Sequence, residues 1–355
     1  MAEFFTNYGL FLAKSLTVVL AILLVVAGIA VVAGRNKKRA ADGEIQVTCL
    51  NEGLEDMQDA MEEAVLDEEI FKQQKKEQQK KDKQEAKKLK KSLKKGEHQE
   101  EKRKRVFVLD FDGDVKASEV EPLREEITAV LTLAEKDDEV VVRLESAGGL
   151  VHSYGLASSQ LERLKQHEIP LTICVDKVAA SGGYMMACLA DKLLAAPFAV
   201  LGSIGVVAQL PNFHKLLKKH DIDFEVLTAG EYKRTLTVFG ENTEKGREKF
   251  VEELEDTHEL FKEFVAEYRP QLDMEKVATG EIWFGRRALE QKLIDEISTS
   301  DDYIFERCQD SDVYSVRYEY HKTLQEKLAD FSVKASDALL IRWWDRIQKS
   351  RLLSR

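Results

Sequence analysis

Short apolar runs alternate with amphipathic stretches through the middle of the chain. Runs at 106–109, 140–144 and 171–175 have the length and the β-branched content of buried strands. Stretches with helical periodicity follow, one beginning at Ser118 and ending near residue 134, another over 153–166. Repeated strand–helix units predict an α/β fold, with a parallel sheet and helices packed against it.

The same alternation continues toward the carboxyl end, so residues 106–330 are predicted to form one α/β domain. A further helix is predicted to begin at Ser181, and 242–268 has the pattern of one long helix. Additional strand candidates lie at 193–196, 200–207 and 224–227, around a short helix at 213–220.

The amino-terminal segment has the composition of a membrane anchor. Residues 16–34 are nineteen residues without a charge, and at about 1.5 Å rise each they approach the roughly 30 Å hydrocarbon core of a bilayer. A cleaved signal peptide is the alternative, but its apolar core usually has only about 7–15 residues. We therefore predict a single-pass transmembrane anchor at 1–34. Four basic residues directly after it predict a cytoplasmic carboxyl side.

Charge is unevenly distributed between this anchor and the α/β domain. Residues 44–69 contain ten acidic side chains and no Lys or Arg, whereas 72–105 contain sixteen basic side chains against six acidic ones. With few apolar positions to form a core, 35–105 is predicted to be a charged tether, helical or disordered. Its basic half is expected to contact the lipid bilayer. The net charge of −11 and the lack of aromatic residues interleaved with the basic ones argue against nucleic acid as a partner.

The carboxyl-terminal residues 331–355 are predicted to form an amphipathic helix. Leu340, Trp343, Trp344 and Ile347 share one helical face, with basic residues around it. Such a helix can lie on the membrane surface or dock on a neighbouring subunit, and both interpretations stay open.

A serine stands where a strand gives way to a helix. Ser181 follows Ala179-Ala180 and precedes Gly182-Gly183. At the positive end of the helix dipole, with free backbone N–H groups beside it, its hydroxyl is well placed for a nucleophile. The small neighbours leave room for a substrate carbonyl. A helix-capping serine is the alternative, because serine is a common cap.

A pair of glycines, Gly148-Gly149, comes soon after the strand at 140–144. Paired glycines leave their N–H groups unobstructed and allow positive φ. Together with the N–H of Gly182 they form a candidate oxyanion site. A plain tight turn is the alternative interpretation.

A serine nucleophile needs a general base, because an unassisted hydroxyl is a weak nucleophile at neutral pH. His152 is the one histidine beside the glycine pair, and a Ser-His-Asp triad has no further support. Lys233 precedes a segment with few charges, 235–240. In an apolar pocket its pKa would fall from about 10.4 toward neutrality, so that the amine could accept the serine proton. Ser203 could accept a hydrogen bond from that amine. The alternative interpretation of Lys233 is an ordinary surface lysine.

Five segments support these assignments by their order and spacing. They are Ser146-Ala147-Gly148-Gly149, Ala180-Ser181-Gly182-Gly183-Tyr184, Gly202-Ser203-Ile204-Gly205-Val206, Tyr232-Lys233-Arg234 and Gly280-Glu281-Ile282-Trp283-Phe284-Gly285-Arg286-Arg287-Ala288. Each segment alone is weak evidence for a family, whereas all five in this order and at these intervals are specific. Over about residues 106–297 the chain resembles the signal peptide peptidase A family.

The resemblance implies a membrane serine endopeptidase of the ClpP/crotonase fold, a spiral of β-β-α units that assembles into homo-oligomeric rings. It implies Ser181 as nucleophile, Lys233 as general base, Ser203 as the residue that orients Lys233, and Gly148-Gly149 as the oxyanion loop. The implied substrates are hydrophobic, membrane-derived peptides such as signal-peptide remnants, and the implied location is the bacterial inner membrane. No metal and no organic cofactor are implied.

Two positions depart from the family pattern, Ala147 where proline is common and Lys292 where glycine often stands. Neither belongs to the Ser–Lys pair. Two other functions stay open from the sequence: a crotonase-like acyl-CoA enzyme that uses the Gly148-Gly149 oxyanion loop, and a non-catalytic membrane scaffold.

Overall fold

The computed structural model describes residues 43–73 and 103–320, together with the isolated positions 9, 10, 14, 17, 75–77, 80 and 83. Most of the anchor predicted at 1–34 and all of the helix predicted at 331–355 lie outside the described residues. Among the residues that are described, no helix has both the length and the hydropathy needed to cross a bilayer. Residues 45–318 form one compact unit.

Strands and helices alternate along this unit. The strands are β1 (Gly43–Cys49), β2 (Arg105–Gly113), β3 (Glu139–Ser146), β4 (Leu171–Val175), β5 (Val178–Ala180), β6 (Lys192–Ala195), β7 (Val200–Gly202), β8 (Ile282–Phe284), β9 (Glu296–Ile297) and β10 (Asp312–Tyr320). The helices are α1 (Leu50–Val65), α2 (Val120–Leu131), α3 (Val151–Gln166), α4 (Gly182–Ala187), α5 (His214–Lys219), α6 (Glu244–Tyr268), α7 (Met274–Val277), α8 (Gly285–Glu290) and α9 (Ser300–Asp310).

The main sheet has the order β1-β10-β2-β3-β4-β6-β9. Neighbours from β10 to β9 pair in parallel. A second branch leaves β3, where β5 pairs with β3 and with β7 in parallel, and β8 pairs with β7 antiparallel. The predicted α/β class is therefore confirmed, with a sheet that is mostly but not entirely parallel.

Apolar side chains cover both faces of the sheet. Val142 and Ile173 point to the face packed by α2 and α3, where Ile127 and Leu161 are fully buried. Val141, the neighbour of Val142 on β3, belongs to a smaller cluster with side chains of β2, β6 and α9. Because successive strand residues point to opposite faces, a strand buried on both faces must be apolar throughout, which explains the uninterrupted apolar runs in the sequence.

One predicted strand is wrong. Residues 224–227 form no strand, and their backbone has no strand partner within the described part of the chain. Leu227 is 91% exposed. An apolar run predicts burial only if a neighbouring surface covers it, and the described residues of the chain leave all three apolar side chains of this run exposed.

The segment predicted as a tether, 35–105, is partly integrated into the domain. Its helical portion is found at α1, which has no buried residue. However, β1 is the edge strand of the main sheet. The Asn51 side chain further ties α1 to the end of α9 and the start of β10, because its amide donates to the carbonyls of Cys308 (2.9 Å) and Ser311 (3.0 Å) and accepts from the N–H of Val313 (2.8 Å). The domain thus begins before the predicted boundary at residue 106.

Candidate active site

The carboxyl ends of β3, β5 and β7 lie side by side. Ser146, the last residue of β3, is in register with Ala179, and Ala180 is in register with Gly202. Chain segments that leave parallel strands at the same edge are neighbours in space. This register brings together the glycine loop after β3, Ser181 after β5 and Ser203 after β7.

Ser181 has an unusual backbone conformation, with φ 52° and ψ −120°. A non-glycine residue at positive φ is strained by its Cβ and persists only where its surroundings hold it. Here its N–H donates to the carbonyl of Gly202 (2.8 Å), and its carbonyl accepts from the N–H of Met185 (3.0 Å). The side chain makes no capping hydrogen bond to α4. The half-buried hydroxyl is therefore not engaged as a helix cap, which was the alternative interpretation.

The glycine loop contacts Ser181 directly. Gly148 has φ 85°, and a Cβ at this position would lie 2.8 Å from the Cβ of Ser181 and 2.7 Å from the nitrogen of Gly182. A Cβ on Gly149 would lie 2.1 Å from the carbonyl oxygen of Val115. Neither glycine can be replaced without displacing backbone, so the loop is more than a plain tight turn.

The three predicted oxyanion donors are not equivalent. The N–H of Gly148 donates to Oγ of Ser146 (3.1 Å) and is therefore used within the loop. The N–H groups of Gly149 and Gly182 have no hydrogen-bond acceptor within the part of the chain that the structure describes. The geometry narrows the predicted set to two available donors, because a donor already bonded contributes less to a developing oxyanion.

Ser203 occupies the position after β7 that Ser181 occupies after β5. It also has positive φ, 50°, and its N–H donates to the carbonyl of Glu281 (2.7 Å). The next residue, Ile204, accepts a hydrogen bond through its carbonyl from Nε2 of His258 on α6 (3.2 Å). A carbonyl can only accept, so Nε2 carries the proton of that imidazole. His258 was not singled out in the sequence, because its partner is distant in the chain.

Lys233 has a different setting. It follows Gly230, whose φ is 102°, in a turn where the Lys233 N–H donates to the Gly230 carbonyl (3.3 Å). Its side chain is exposed in the single chain. The described residues of the chain therefore do not form the dry pocket predicted for its amine, because the surrounding segment, residues 206–241, is itself largely exposed.

An open cavity of about 400 Å³ lies in the same part of the chain. Tyr232 and Arg234, the two neighbours of Lys233, line it together with apolar and hydroxyl-bearing side chains. All of its lining residues come from 224–246, and Ser181 is not among them. His152, the alternative base, is exposed at the start of α3.

Two family models match the sequence: Peptidase family S49 N-terminal over residues 3–161 and Peptidase family S49 over residues 163–313. This chain belongs to peptidase family S49. The S49 match contains Ser181, Ser203 and Lys233, and the N-terminal match contains the Gly148-Gly149 loop. The site described above is thus assembled from both matched regions.

Curated relatives agree with this membership. The probable protease SohB of Haemophilus influenzae is 55% identical over 326 residues, which cover 92% of this chain and 92% of that protein. The probable protease SohB of Buchnera aphidicola subsp. Schlechtendalia chinensis is 50% identical over 306 residues, 86% of this chain and all of that protein. Protease 4 of Haemophilus influenzae is 25% identical over 208 residues, 56% of this chain and 34% of that protein. The resemblance stated from the five segments is confirmed, and it supports a protease.

Proposed function

We propose that this S49 chain is a serine endopeptidase in which Ser181 is the nucleophile and Lys233 the general base. The observation that carries the proposal is the arrangement around Ser181. Its backbone is held at positive φ, and its hydroxyl is not used as a cap. Gly148 packs against it, and the free N–H groups belong to Gly182, the next residue, and to Gly149, the neighbour of Gly148. A nucleophile beside two unpaired donors is the arrangement that acyl transfer requires.

The reaction follows from these groups. Neutral Lys233 accepts the proton of Ser181 as Oγ attacks the peptide carbonyl carbon, and the carbonyl oxygen becomes an oxyanion that accepts from Gly149 and Gly182. Collapse of this intermediate breaks the C–N bond, and the leaving amine takes the proton from Lys233. Water then attacks the acyl-enzyme ester with Lys233 again as base, which releases the acid and restores the Ser181 hydroxyl.

Ser203 is proposed to orient Lys233. Its position beside Ser181 on the adjacent strand end suits a hydroxyl that accepts from the amine of Lys233 and directs the remaining lone pair toward Oγ of Ser181. Such a hydrogen bond also restricts the rotation of a long and flexible side chain.

Assembly into a homo-oligomeric ring is proposed to supply the dry environment that Lys233 lacks in the single chain. Residues 206–241 expose many large apolar side chains, which is unusual for a surface that faces water permanently. A second copy that covers them would also exclude water from the surroundings of Lys233. The exposed side chains are Val207, Leu210, Phe213, Leu216, Ile222, Phe224, Val226, Leu227, Tyr232 and Phe239.

The architecture is proposed to be of the ClpP/crotonase type. The branch formed by β5, β7 and β8, which leaves the main sheet at β3, supports this assignment. The membrane anchor at 1–34, the inner-membrane location with the protease domain on the cytoplasmic side, and hydrophobic membrane-derived peptides as substrates remain proposals. The anchor and its orientation rest on the uncharged run at 16–34 and on the basic residues after it, whereas the bacterial location and the substrate class rest on the resemblance to the signal peptide peptidase A family.

Covalent labelling tests the proposed nucleophile. A fluorophosphonate probe is expected to add to Ser181 of the full chain in detergent, and peptide mass spectrometry identifies the labelled residue. Ser181→Ala should abolish both labelling and peptide hydrolysis. Ser159→Ala, at an exposed serine on α3, is the matched control and should retain both. Peptide hydrolysis that survives Ser181→Ala would contradict the proposal, whereas coenzyme A binding together with an acyl-CoA activity that survives the substitution would favour the acyl-CoA enzyme.

A further inference from the structure

Two buried hydroxyl groups lie directly behind the glycine loop. Ser146 ends β3 and is 2% exposed, and Tyr154, in the first turn of α3, is fully buried. Their oxygens are 2.5 Å apart. A pair of hydroxyls in a core must be fully satisfied to be tolerated, so the partners of this pair are informative.

Counting protons fixes the direction of the hydrogen bonds. The Tyr154 hydroxyl donates to the carbonyl of Asp114 (2.7 Å). Burial raises the pKa of Tyr154, so the phenol keeps the single proton that this bond uses. In the short contact between the two hydroxyls, Ser146 must then be the donor and Oη of Tyr154 the acceptor. Oγ of Ser146 is left as the acceptor for the N–H of Gly148 (3.1 Å).

A directed chain therefore runs from Gly148 N–H to Ser146, from Ser146 to Tyr154, and from Tyr154 to the Asp114 carbonyl. Removing the Tyr154 hydroxyl leaves Ser146 with one other carbonyl within reach, that of Gly113 at 3.3 Å. That bond is longer than the mode for an O–H donor by about 0.5 Å. Of the two acceptors available to the Ser146 hydroxyl, Tyr154 is therefore the one that gives the shorter hydrogen bond.

The same two side chains also contact the residues after the nucleophile. A Cβ on Gly182 would lie 2.4 Å from Cγ of Tyr154, so the phenol ring packs flat against the backbone that carries the second free donor. A Cβ on Gly183 would lie 2.5 Å from the carbonyl oxygen of Ser146. Ser146 and Tyr154 thereby touch both halves of the candidate oxyanion site, one through hydrogen bonds and the other through packing.

We propose that Ser146 and Tyr154 are positioning residues for the oxyanion site: they fix the Gly148 amide inward so that the Gly149 N–H, together with that of Gly182, faces the substrate carbonyl. This inference rests on the proposed function. Neither hydroxyl reaches the substrate; each acts through the orientation of a glycine amide. Preorganised donors stabilise a developing oxyanion because they need no reorientation as charge forms.

Two substitutions and two matched controls test the positioning role. Ser146→Ala removes the acceptor of the Gly148 N–H, and Tyr154→Phe removes the hydroxyl that holds Ser146 while it keeps the ring on Gly182. Tyr303→Phe deletes another buried hydroxyl, which donates to Glu139 (2.5 Å) on the opposite face of the sheet. Ser158→Ala deletes a buried hydroxyl that has no hydrogen-bond partner within the described residues.

The full-length enzyme in detergent is assayed with a fluorogenic peptide and with a peptide aldehyde. Addition of Ser181 Oγ to the aldehyde carbon forms a hemiacetal whose oxygen lies in the oxyanion site, so its affinity reports that site. Ser146→Ala is expected to lower kcat by about 30-fold and Tyr154→Phe by about fivefold. Both losses are smaller than the roughly 10²–10³-fold decrease in kcat that follows removal of an oxyanion donor itself. KM should change less than about twofold, because ground-state binding does not use these donors. The inhibition constant of the aldehyde should rise in proportion to the loss of kcat.

The controls separate positioning from general stability. Tyr303→Phe should lower the thermal midpoint about as much as Tyr154→Phe and leave kcat unchanged, and Ser158→Ala should change neither. If Ser146→Ala does not fold, Tyr154→Phe alone decides. If the parent is active and the two test variants lose only stability, with kcat and aldehyde affinity unchanged, the positioning role is refuted while the proposed function stands. A parent that neither cleaves the peptide nor binds the aldehyde at Ser181 overturns the proposed function and, with it, this role.

Discussion

The two halves of the candidate site are built in opposite ways. The nucleophile half, Ser181 with the Gly148-Gly149 loop, lies where three strands end. A Cβ added to either glycine would lie within 3 Å of backbone atoms. The base half, Lys233 within 206–241, is exposed, and its apolar side chains lack cover. The described residues of one chain hold the candidate nucleophile and the glycine loop in place, whereas the solvent exposure of the candidate base depends on what covers residues 206–241. Four experiments break or sharpen this contrast.

The largest effect is expected from Lys233→Ala. Loss of the general base should lower kcat/KM by about 10⁴-fold, as removal of a catalytic-triad member does. The thermal midpoint should shift by less than about 1 °C, because exposed side chains contribute little to stability. Lys219→Ala, an exposed lysine on the neighbouring α5, is the control and should be silent in both measurements. Activity of Lys233→Ala near that of the parent would eliminate this residue as base.

Gly148→Ala should damage activity and stability together. Its Cβ would collide with Ser181 and with the Gly182 nitrogen, and φ of 85° disfavours any side chain. We expect kcat to fall by about 10²–10³-fold and the free energy of unfolding by about 1–3 kcal/mol, measured by peptide hydrolysis and by urea denaturation. Gly155→Ala has open space around its Cβ within α3 and should instead stabilise the chain by about 0.5–1 kcal/mol. A fully active Gly148→Ala enzyme would show that the loop does not shape the site.

Leu227→Glu tests whether another copy covers the base half. The side chain is almost fully exposed in the single chain, so the monomer should tolerate the charge. A covered interface should not, and we expect a smaller assembly in sedimentation velocity and about a tenfold loss of activity, because a desolvated charge costs a few kcal/mol at a contact. Leu133→Glu places the same charge on an exposed leucine after α2 and should change neither. An unchanged assembly and activity would refute this cover.

The smallest effect on activity is expected at Glu126, on α2 and away from the site. Burial raises the pKa of its carboxyl to about 7, and one oxygen accepts from the N–H of Tyr318. Because the folded pKa lies above the unfolded value, the folded state binds the proton more tightly. The free energy of unfolding should therefore fall as pH rises from about 4.5 to about 7, by up to about 3 kcal/mol.

Glu126→Gln should remove that pH dependence while kcat stays unchanged, since glutamine keeps an oxygen for the Tyr318 N–H. Urea denaturation at several pH values measures the slope. Glu121→Gln, on the same helix but exposed, is the control. A parent whose stability does not change across this interval would contradict the raised pKa.

Much of the fold follows from apolar patterning because most of its strands are buried on both faces. The prediction for 171–175 coincides with β4, in which every residue is buried. The run at 224–227 has a similar pattern and forms no strand, because periodicity records hydrophobicity and not what provides cover. β1 was missed although Ile45, Val47 and Cys49 alternate with polar residues, because the acidic composition of 44–69 outweighed this short period-2 pattern.

The site was predicted unevenly as well. Glycines and serines at strand ends have local signatures, so Ser181, Ser203 and the Gly148-Gly149 loop could be singled out. The short contact between the Ser146 and Tyr154 hydroxyls and the packing of Tyr154 on Gly182 depend on β3, α3 and α4, which meet only in the folded chain. A tyrosine within a helix carries no local sign of such contacts. Nor does the lysine motif indicate how much solvent reaches Lys233.

The backbone of Ser181 has an evolutionary consequence. Glycine adopts φ of 52° without a Cβ penalty, whereas serine at such a position is disfavoured by about 1–3 kcal/mol. Under the proposed mechanism, selection for the Ser181 hydroxyl and selection for a stable fold therefore oppose each other at this position. In a lineage that no longer needs the hydroxyl, replacement of this serine by glycine would stabilise the fold. Glycine at this position is therefore expected in descendants that have lost the catalytic activity.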